Sequence, residues 1–438
     1  MEKHIHLFST QQEFETAYNG DEYIEPWLSY VKETEKVGFN DNTDYTSMPL
    51  TFEILSDGVI YWRSQNSAVT RTIQYKKNDG EWVSITSNKG ASSPSINVSS
   101  GDTLAFRGNN SAYAEMTGSF GSPDGYSTFS GSTCEFNAIG NIMSLINASQ
   151  FNNITSLTAS YTFYSLFRST KIVSAKKLVL PATTLTNHCY EYLFYFCKNL
   201  ISVPALPATT LKLSCYSYMF SSCTGLTSAP TLPATTLADS CYNNMFSYCT
   251  NLTSAPELPA TTMVTQCYTS MFSYCTNLTS APELPATTLK SNCYTSMFYG
   301  CTSLKSAPAL PATTLESDCY RSMFASCTGL TSAPSLPATT LKPNCYDRMF
   351  RMCKSLTTAP ELPATKLVSD CYQYMFEACS NLSYIKAMFT TTPSESYTRD
   401  WVDGVSESGT FVKNSSATWY VTGVNGVPEG WTTQRASA

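Results

Sequence analysis

From Leu180 onward the apolar positions recur with a period of 26 residues. The hexamer LPATTL, or a one-residue variant, begins at Leu180, Leu206, Leu232, Leu258, Leu284, Leu310, Leu336 and Leu362, eight copies without an insertion. Such self-similarity marks units that bury an apolar face only against their neighbours. Within the copy starting at Leu232, Cys241, Met245 and Cys249 are spaced i, i+4, i+8, with Tyr242 and Phe246 alongside. That spacing predicts a short helix with this face buried. Ser, Asn or Asp precedes the first cysteine in six of the eight copies, as at Ser240, and suits a helix N-cap. Gly or Asn two residues after the second cysteine, as at Gly225 and Asn251, suits a left-handed helix end. The segment LTSAP then predicts an extended stretch of about one ladder step, its proline holding the preceding residue in β or polyproline geometry. A βα unit of this size cannot bury its own apolar face. The predicted architecture is therefore an α/β solenoid, with strands paired on one side and helices on the other.

The flanks read differently. Residues 46–116 alternate or cluster apolar positions between turn signals such as Ser56-Asp57-Gly58 and Asn78-Asp79-Gly80. They predict a small all-β sandwich resembling immunoglobulin-like modules. Ahead of it, residues 1–45 carry the capping box Thr10-Gln11-Gln12-Glu13, expected to start a helix running to about Ala17. Residues 117–134 are rich in Gly and Ser and read as a linker. Residues 135–179 look like degenerate repeats forming an N-terminal cap, and residues 180–384 hold the eight repeats. Residues 385–438 lose the cysteines, gain Trp401, Trp419 and Trp431, and read as a C-terminal cap.

Composition narrows the chemistry. Charged residues are 14% of the 438, the net charge is −6 and no basic block occurs, so nucleic acid is not an expected partner. No apolar run reaches the roughly 18 residues of a membrane helix, and the start MEKHIHLFSTQQEF lacks the apolar stretch of a signal peptide. The chain is expected to be soluble, not membrane-inserted, and to begin at its own Met1. Sixteen of the 17 cysteines fall in two columns, Cys189 to Cys371 and Cys197 to Cys379, with Cys134 outside. Eight residues of helix span about 12 Å, too far for a disulfide within a repeat. Cys241, Met245, Phe246 and Cys249 are thus read as structural core. Without a CxxC pair and with only three histidines, no metal site or cofactor is expected. His188 beside Cys189 does not make a nucleophile pair, because adjacent helix residues do not face each other. No catalytic residue is assigned and no enzyme is expected.

The stretch LTSAPTLPATTLADSCYNNMFSYCTNL resembles the BspA-like class of leucine-rich repeats found in gut Bacteroidales and their phages, with its strand leucine, proline turn and Cys-Thr-x-Leu ending. The resemblance implies a leucine-rich-repeat solenoid and a recognition role on a cell surface. Exposed columns supply the candidates for ligand binding: Thr253, Thr279, Lys305, Thr331 and Thr357 on the strand side, with Glu257 and Glu283 at the strand ends. Glu257 and Glu283 could also face each other as a carboxylate pair, but an exposed ladder offers no pocket to separate their pKa values. A helix-side column that includes Tyr218, Tyr248, Tyr274, Tyr299, Arg321, Arg348, Arg351 and Tyr374 varies as well, and the sequence does not choose between the faces. The expected partner is a cell-surface glycan or protein. The expected setting is extracellular or on a virion, as a phage tail-fibre or other host-attachment component, with homo-oligomer or virion contacts through the N-terminal region. A bacterial surface adhesin and a purely structural virion spacer or decoration protein stand as alternatives.

Overall fold

The computed structural model describes residues 6–8, 28–31, 36–39, 43–66, 69–115, 123 and 125–437. The expected helix at residues 10–17 lies outside them. Residues 1–45 and 46–438 form two compact units. In the first, β1 (His6–Phe8) runs parallel to β2 (Leu28–Val31), and β2 pairs antiparallel with β3 (Lys36–Phe39).

In the second unit, the hairpin-rich stretch forms β4 (Leu50–Ile54), β5 (Gly58–Tyr61), β6 (Arg63–Ser64), β7 (Thr72–Lys77), β8 (Val83–Thr86), β9 (Ser95–Val98) and β10 (Thr103–Gly108). Strands β4, β10, β7 and β8 pair antiparallel in that order, while β5 pairs with β9. Beyond them lie β11 (Ala114–Glu115), β12 (Gly125–Thr128) and β13 (Phe136–Asn141). Where a linker is expected, β12 pairs with both β6 and β11, and Phe129 is fully buried. Strand β13 lies antiparallel to β4 and parallel to β14 (Ile172–Ser174) and β15 (Leu178–Val179), so the sheet runs on into the first repeats. Leu50, Thr51, Phe52 and Ile54 are all buried, and β4 is an interior strand whose backbone pairs with β10 on one edge and β13 on the other.

The repeats overturn the α/β expectation. The chain is mostly β and turn, and its one α-helical stretch among the described residues is Glu395–Thr398. Residues 240–249 instead form consecutive four-residue turns. Asn243, Met245, Ser247 and Cys249 donate their N–H groups to the carbonyls of Ser240, Tyr242, Asn244 and Phe246, three residues back, at 3.0–3.1 Å. The alternate residues Ser240, Tyr242, Asn244, Phe246 and Tyr248 donate instead to Thr265, Cys267, Thr269, Met271 and Ser273 of the next repeat. Every N–H of the row is therefore satisfied, which a buried backbone requires. One residue per turn must be left-handed, and Ser240, Asn244 and Tyr248 have φ of 56°, 55° and 61°. The Ser, Asn and Asp expected as N-caps are thus there because short polar side chains tolerate this conformation. Gly225, expected as a left-handed helix end, is not left-handed; an added Cβ would lie 2.7 Å from the Lys198 carbonyl oxygen.

On the opposite side the repeats pair through single parallel bridges, Ser254 to Ser280, Ser306 to Ser332, Thr210 to Thr236 and Thr288 to Thr314. Between the two sides each repeat buries Leu232, Leu237, Cys241, Tyr242, Met245, Phe246, Cys249 and Leu252 or their equivalents. Burying a large apolar side chain contributes about 2 kcal/mol, whereas a left-handed residue costs about 1–2 kcal/mol, so three strained positions per repeat are outweighed. Two aromatic columns run the length of the stack. One passes from Tyr113 and Phe163 through Tyr190, Tyr216 and Tyr242 to Tyr372, and the other from Phe129 and Phe167 through Phe194 and Phe246 to Phe376. Both meet Trp401 at the far end. The second cysteine column explains itself here: Cys249 and Cys275 donate their thiol hydrogens to the carbonyls of Phe220 and Phe246 in the preceding repeat, at 3.1 and 3.2 Å. No helix among the described residues is long and apolar enough to cross a membrane.

Candidate functional site

Three parts of the repeat surface carry chemistry. On the strand side, Thr253, Thr279, Lys305, Thr331 and Thr357 form one exposed column. The hydroxyls of Thr253, Thr279 and Thr331 donate to the carbonyls of Thr227, Thr253 and Lys305 one repeat back, at 3.4, 3.2 and 3.1 Å. Their protons are committed to the stack, and what they offer outward is acceptor lone pairs. Glu257 and Glu283 are exposed and line one shallow recess with Pro259 and Pro285.

The turn side carries larger side chains, among them the exposed left-handed residues Tyr248 and Phe196. Across the eight repeats the three left-handed columns take Ser, Asn, Asp, Gln, Ala, Gly, His, Arg, Met, Phe and Tyr, and none of the 24 positions is β-branched. Tyr248 stacks on Tyr274 with ring centroids 4.5 Å apart, and Tyr299 meets Tyr274 edge-on at 5.1 Å. Tyr192 stacks on Tyr218 at 4.7 Å. Further along, Arg348 lies 4.4 Å over the ring of Tyr374, and Arg351 bonds both carboxylate oxygens of Glu377. Core positions Cys241, Met245, Phe246 and Cys249 are fully buried, and none of the seventeen cysteines is paired in a disulfide. Burial pushes the Cys249 thiol up to about 12 and that of Cys197 to about 11, so neither is a thiolate at neutral pH.

His188 does find a partner, though not Cys189. Its Nδ1 lies 2.7 Å from Glu191 Oε2, and its ring stacks on Tyr161 at 4.6 Å. Cys189 is fully buried with its thiol pushed up to about 12. The pair holds a surface turn and activates no nucleophile. Sequence reasoning passed over Glu191 and the neighbouring Tyr192, Tyr195 and Phe196, although the aromatic density of YEYLFYF at residues 190–196 was a usable signal.

Asp347 is the most perturbed carboxyl of the turn side. Its Oδ2 accepts from Arg348 at 2.5 Å and forms an ion pair with Arg321 Nε at 3.1 Å, while its Oδ1 is buried without a partner. Burial pushes the group up to about 6, with Asp370 adding to the rise and the two arginines opposing it. The folded chain therefore holds this proton more tightly than the unfolded chain does, and stability falls as pH rises from about 4 to 6. The contribution is on the order of 2 kcal/mol. Asp347→Asn should flatten that part of the pH profile in urea unfolding at pH 4.5 and pH 7. An unchanged slope would assign the burial cost elsewhere.

A family model described as BspA type Leucine rich repeat region matches in six copies, over residues 160–305 and 294–398, more than half of the chain. No curated protein and no solved structure is matched.

Proposed function

Because this chain belongs to the BspA type leucine-rich-repeat family, we propose that it is a non-enzymatic recognition protein that binds a glycan or protein on a cell surface, as an adhesin or a host-attachment component. The family's repeats are a binding rather than a catalytic class. In this reading the stack is a solenoid, and the β strands ahead of it form an immunoglobulin-like module that closes its front end. One observation carries the reading. The buried columns hardly change from repeat to repeat, while the outward left-handed columns range from Ser to Arg and Tyr on an unchanged backbone. A rigid array of Tyr, Ser and Asn supplies contact area at low entropic cost, as binding loops of other recognition proteins do. The turn side supplies the anchors. Thr253, Thr279, Lys305, Thr331 and Thr357, with Glu257 and Glu283, supply polar contacts from the strand side.

The test is saturable binding of labelled full-length protein to a panel of gut bacterial cells. Replacing Tyr248, Tyr274 and Tyr299 together by Ser should weaken binding about tenfold or more, as loss of aromatic anchors does. Replacing Thr253, Thr279 and Thr331 by Arg should have a smaller effect, and circular dichroism should change in neither variant. Binding that never saturates, or that ignores both variants, would leave the repeats as a spacer.

A further inference from the structure

The first two layers of the turn side bring rings and cations together in the same few columns. In the next repeat the columns of Tyr195, Phe196 and Lys198 hold Ser221, Ser222 and Thr224; further on, the first holds Ser247, Ser273 and Tyr299, the second Tyr248, Tyr274 and Gly300, and the third Thr250, Thr276 and Thr302. Thr276 and Thr302 simply donate to carbonyls one repeat back, so a small hydroxyl residue meets the structural need of the Lys198 column. At the front end the same places carry rings and cations. Lys198 Nζ lies 4.4 Å over the Phe196 ring, and the Arg168 guanidinium lies 4.8 Å over Tyr195 and 5.9 Å over Tyr192. Thr170 meets Cys197 at 3.4 Å, which sets the following residues, Lys171 and Lys198, in adjacent layers; both are exposed.

Folding does not account for Phe196. It is 42% exposed and left-handed at φ 63°, at a position where Ser222 and Ser326 serve in other repeats. Strain and exposed aromatic surface that the fold does not need point to a ligand. The nearby acids are already engaged, Glu191 by His188 and Glu135 by Asn199 at 2.8 Å. Arg168, Lys171 and Lys198 thus stand among rings without a carboxylate ion pair of their own among the described residues.

We propose that this front patch binds an acidic polysaccharide, the rings covering the apolar C–H faces of the sugars and the cations meeting their carboxylates or sulfates. Flat rings and paired cations on one rigid surface match a polymer that alternates apolar ring faces with anionic groups. The proposal rests on the reading of the chain as a surface-recognition protein and names a ligand class for it. An acidic polypeptide would use the cations but has little use for the rings.

The test uses the full chain and three polymers: polygalacturonate, neutral dextran and polyglutamate. Polygalacturonate should bind saturably and weaken with salt, dextran should not bind, and polyglutamate should bind more weakly. A variant with Lys171→Thr, Tyr195→Ser, Phe196→Ser and Lys198→Thr installs residues the same columns already hold elsewhere, so its folding should be unaffected. It should lose about tenfold or more in affinity for polygalacturonate. Lys354→Thr, in the same column at the far end, should stay within about twofold. Equal binding of polyglutamate would overturn the proposal in favour of an acidic protein, equal binding of dextran would remove the role of the cations, and an unchanged affinity in the fourfold variant would move the site elsewhere. Cell binding that is saturable but indifferent to polygalacturonate sinks this proposal and leaves the recognition reading standing. Polymer binding without cell binding does the reverse.

Discussion

Ending the chain at Ala387 is expected to make it aggregate. The last turn row donates from Asp370, Tyr372, Tyr374, Phe376 and Ala378 to the carbonyls of Ser396, Tyr397, Arg399, Trp401 and Asp403. Truncation strands all five N–H groups and opens the Tyr372 and Phe376 ring faces, which end on Trp401. The segment it removes is itself anchored, since the Trp401, Trp419 and Trp431 indoles donate to the carbonyls of Gly426, Phe389 and Ser406. The loss is on the order of 5 kcal/mol or more, from five hydrogen bonds exchanged for water at about 1 kcal/mol each and exposed rings at about 2. Trp401→Ala alone should cost about 3–5 kcal/mol. Sedimentation and size-exclusion measurements check the outcome; a monomeric truncation with the parent circular dichroism would mean that the last repeat needs no cover.

Deleting one residue should do more damage than deleting twenty-six. Ser270 is a left-handed corner of its row, at φ 53°. Removing it shifts Met271 and Phe272 by a quarter of the four-residue period, turns part of the buried pair outward and misaligns the bonds that Phe246 and Tyr248 make to Met271 and Ser273. The expected cost is on the order of 5 kcal/mol or more, from buried side chains displaced at about 2–5 kcal/mol each. Excising Leu258 to Glu283 as a unit keeps every column in register and should leave a soluble, shorter protein with little change in stability per repeat. Urea unfolding of the two variants ranks them, and the reverse order would contradict a stack held together by neighbour contacts.

Much of this was written in the chain. The 26-residue period, the two cysteine columns and the Tyr and Phe columns all follow from residue identity, because only a neighbour that repeats the same pattern can cover the apolar face of each unit. Tryptophan is absent from the repeats, and Trp401 packs against Tyr372 and Phe376 of the last one. The front-end ring cluster was legible only in part, since the sequence shows aromatic density at residues 190–196 but not that Lys198 and Arg168 lie over the rings.

What the sequence could not decide is how residues 240–249 are wound. Spacings of i, i+4 and i+8 suit a helix of 3.6 residues per turn and a row of four-residue turns almost equally well over nine residues. A usable hint was present: Ser240 and Asn244, Asn292 and Ser296, and Asp318, Ser322 and Ser326 recur at every fourth position, where left-handed corners fall. The choice itself is made between repeats. A helix keeps its N–H groups for its own carbonyls, whereas half of those in each row bond to the next repeat, and those partners lie about 25 residues away in the chain. The join between β4 and β13 was hidden for the same reason: an antiparallel pairing across some 85 residues leaves no periodic trace within either strand. Residue pattern determined which side chains are buried; hydrogen bonding between distant segments determined the path of the backbone that buries them.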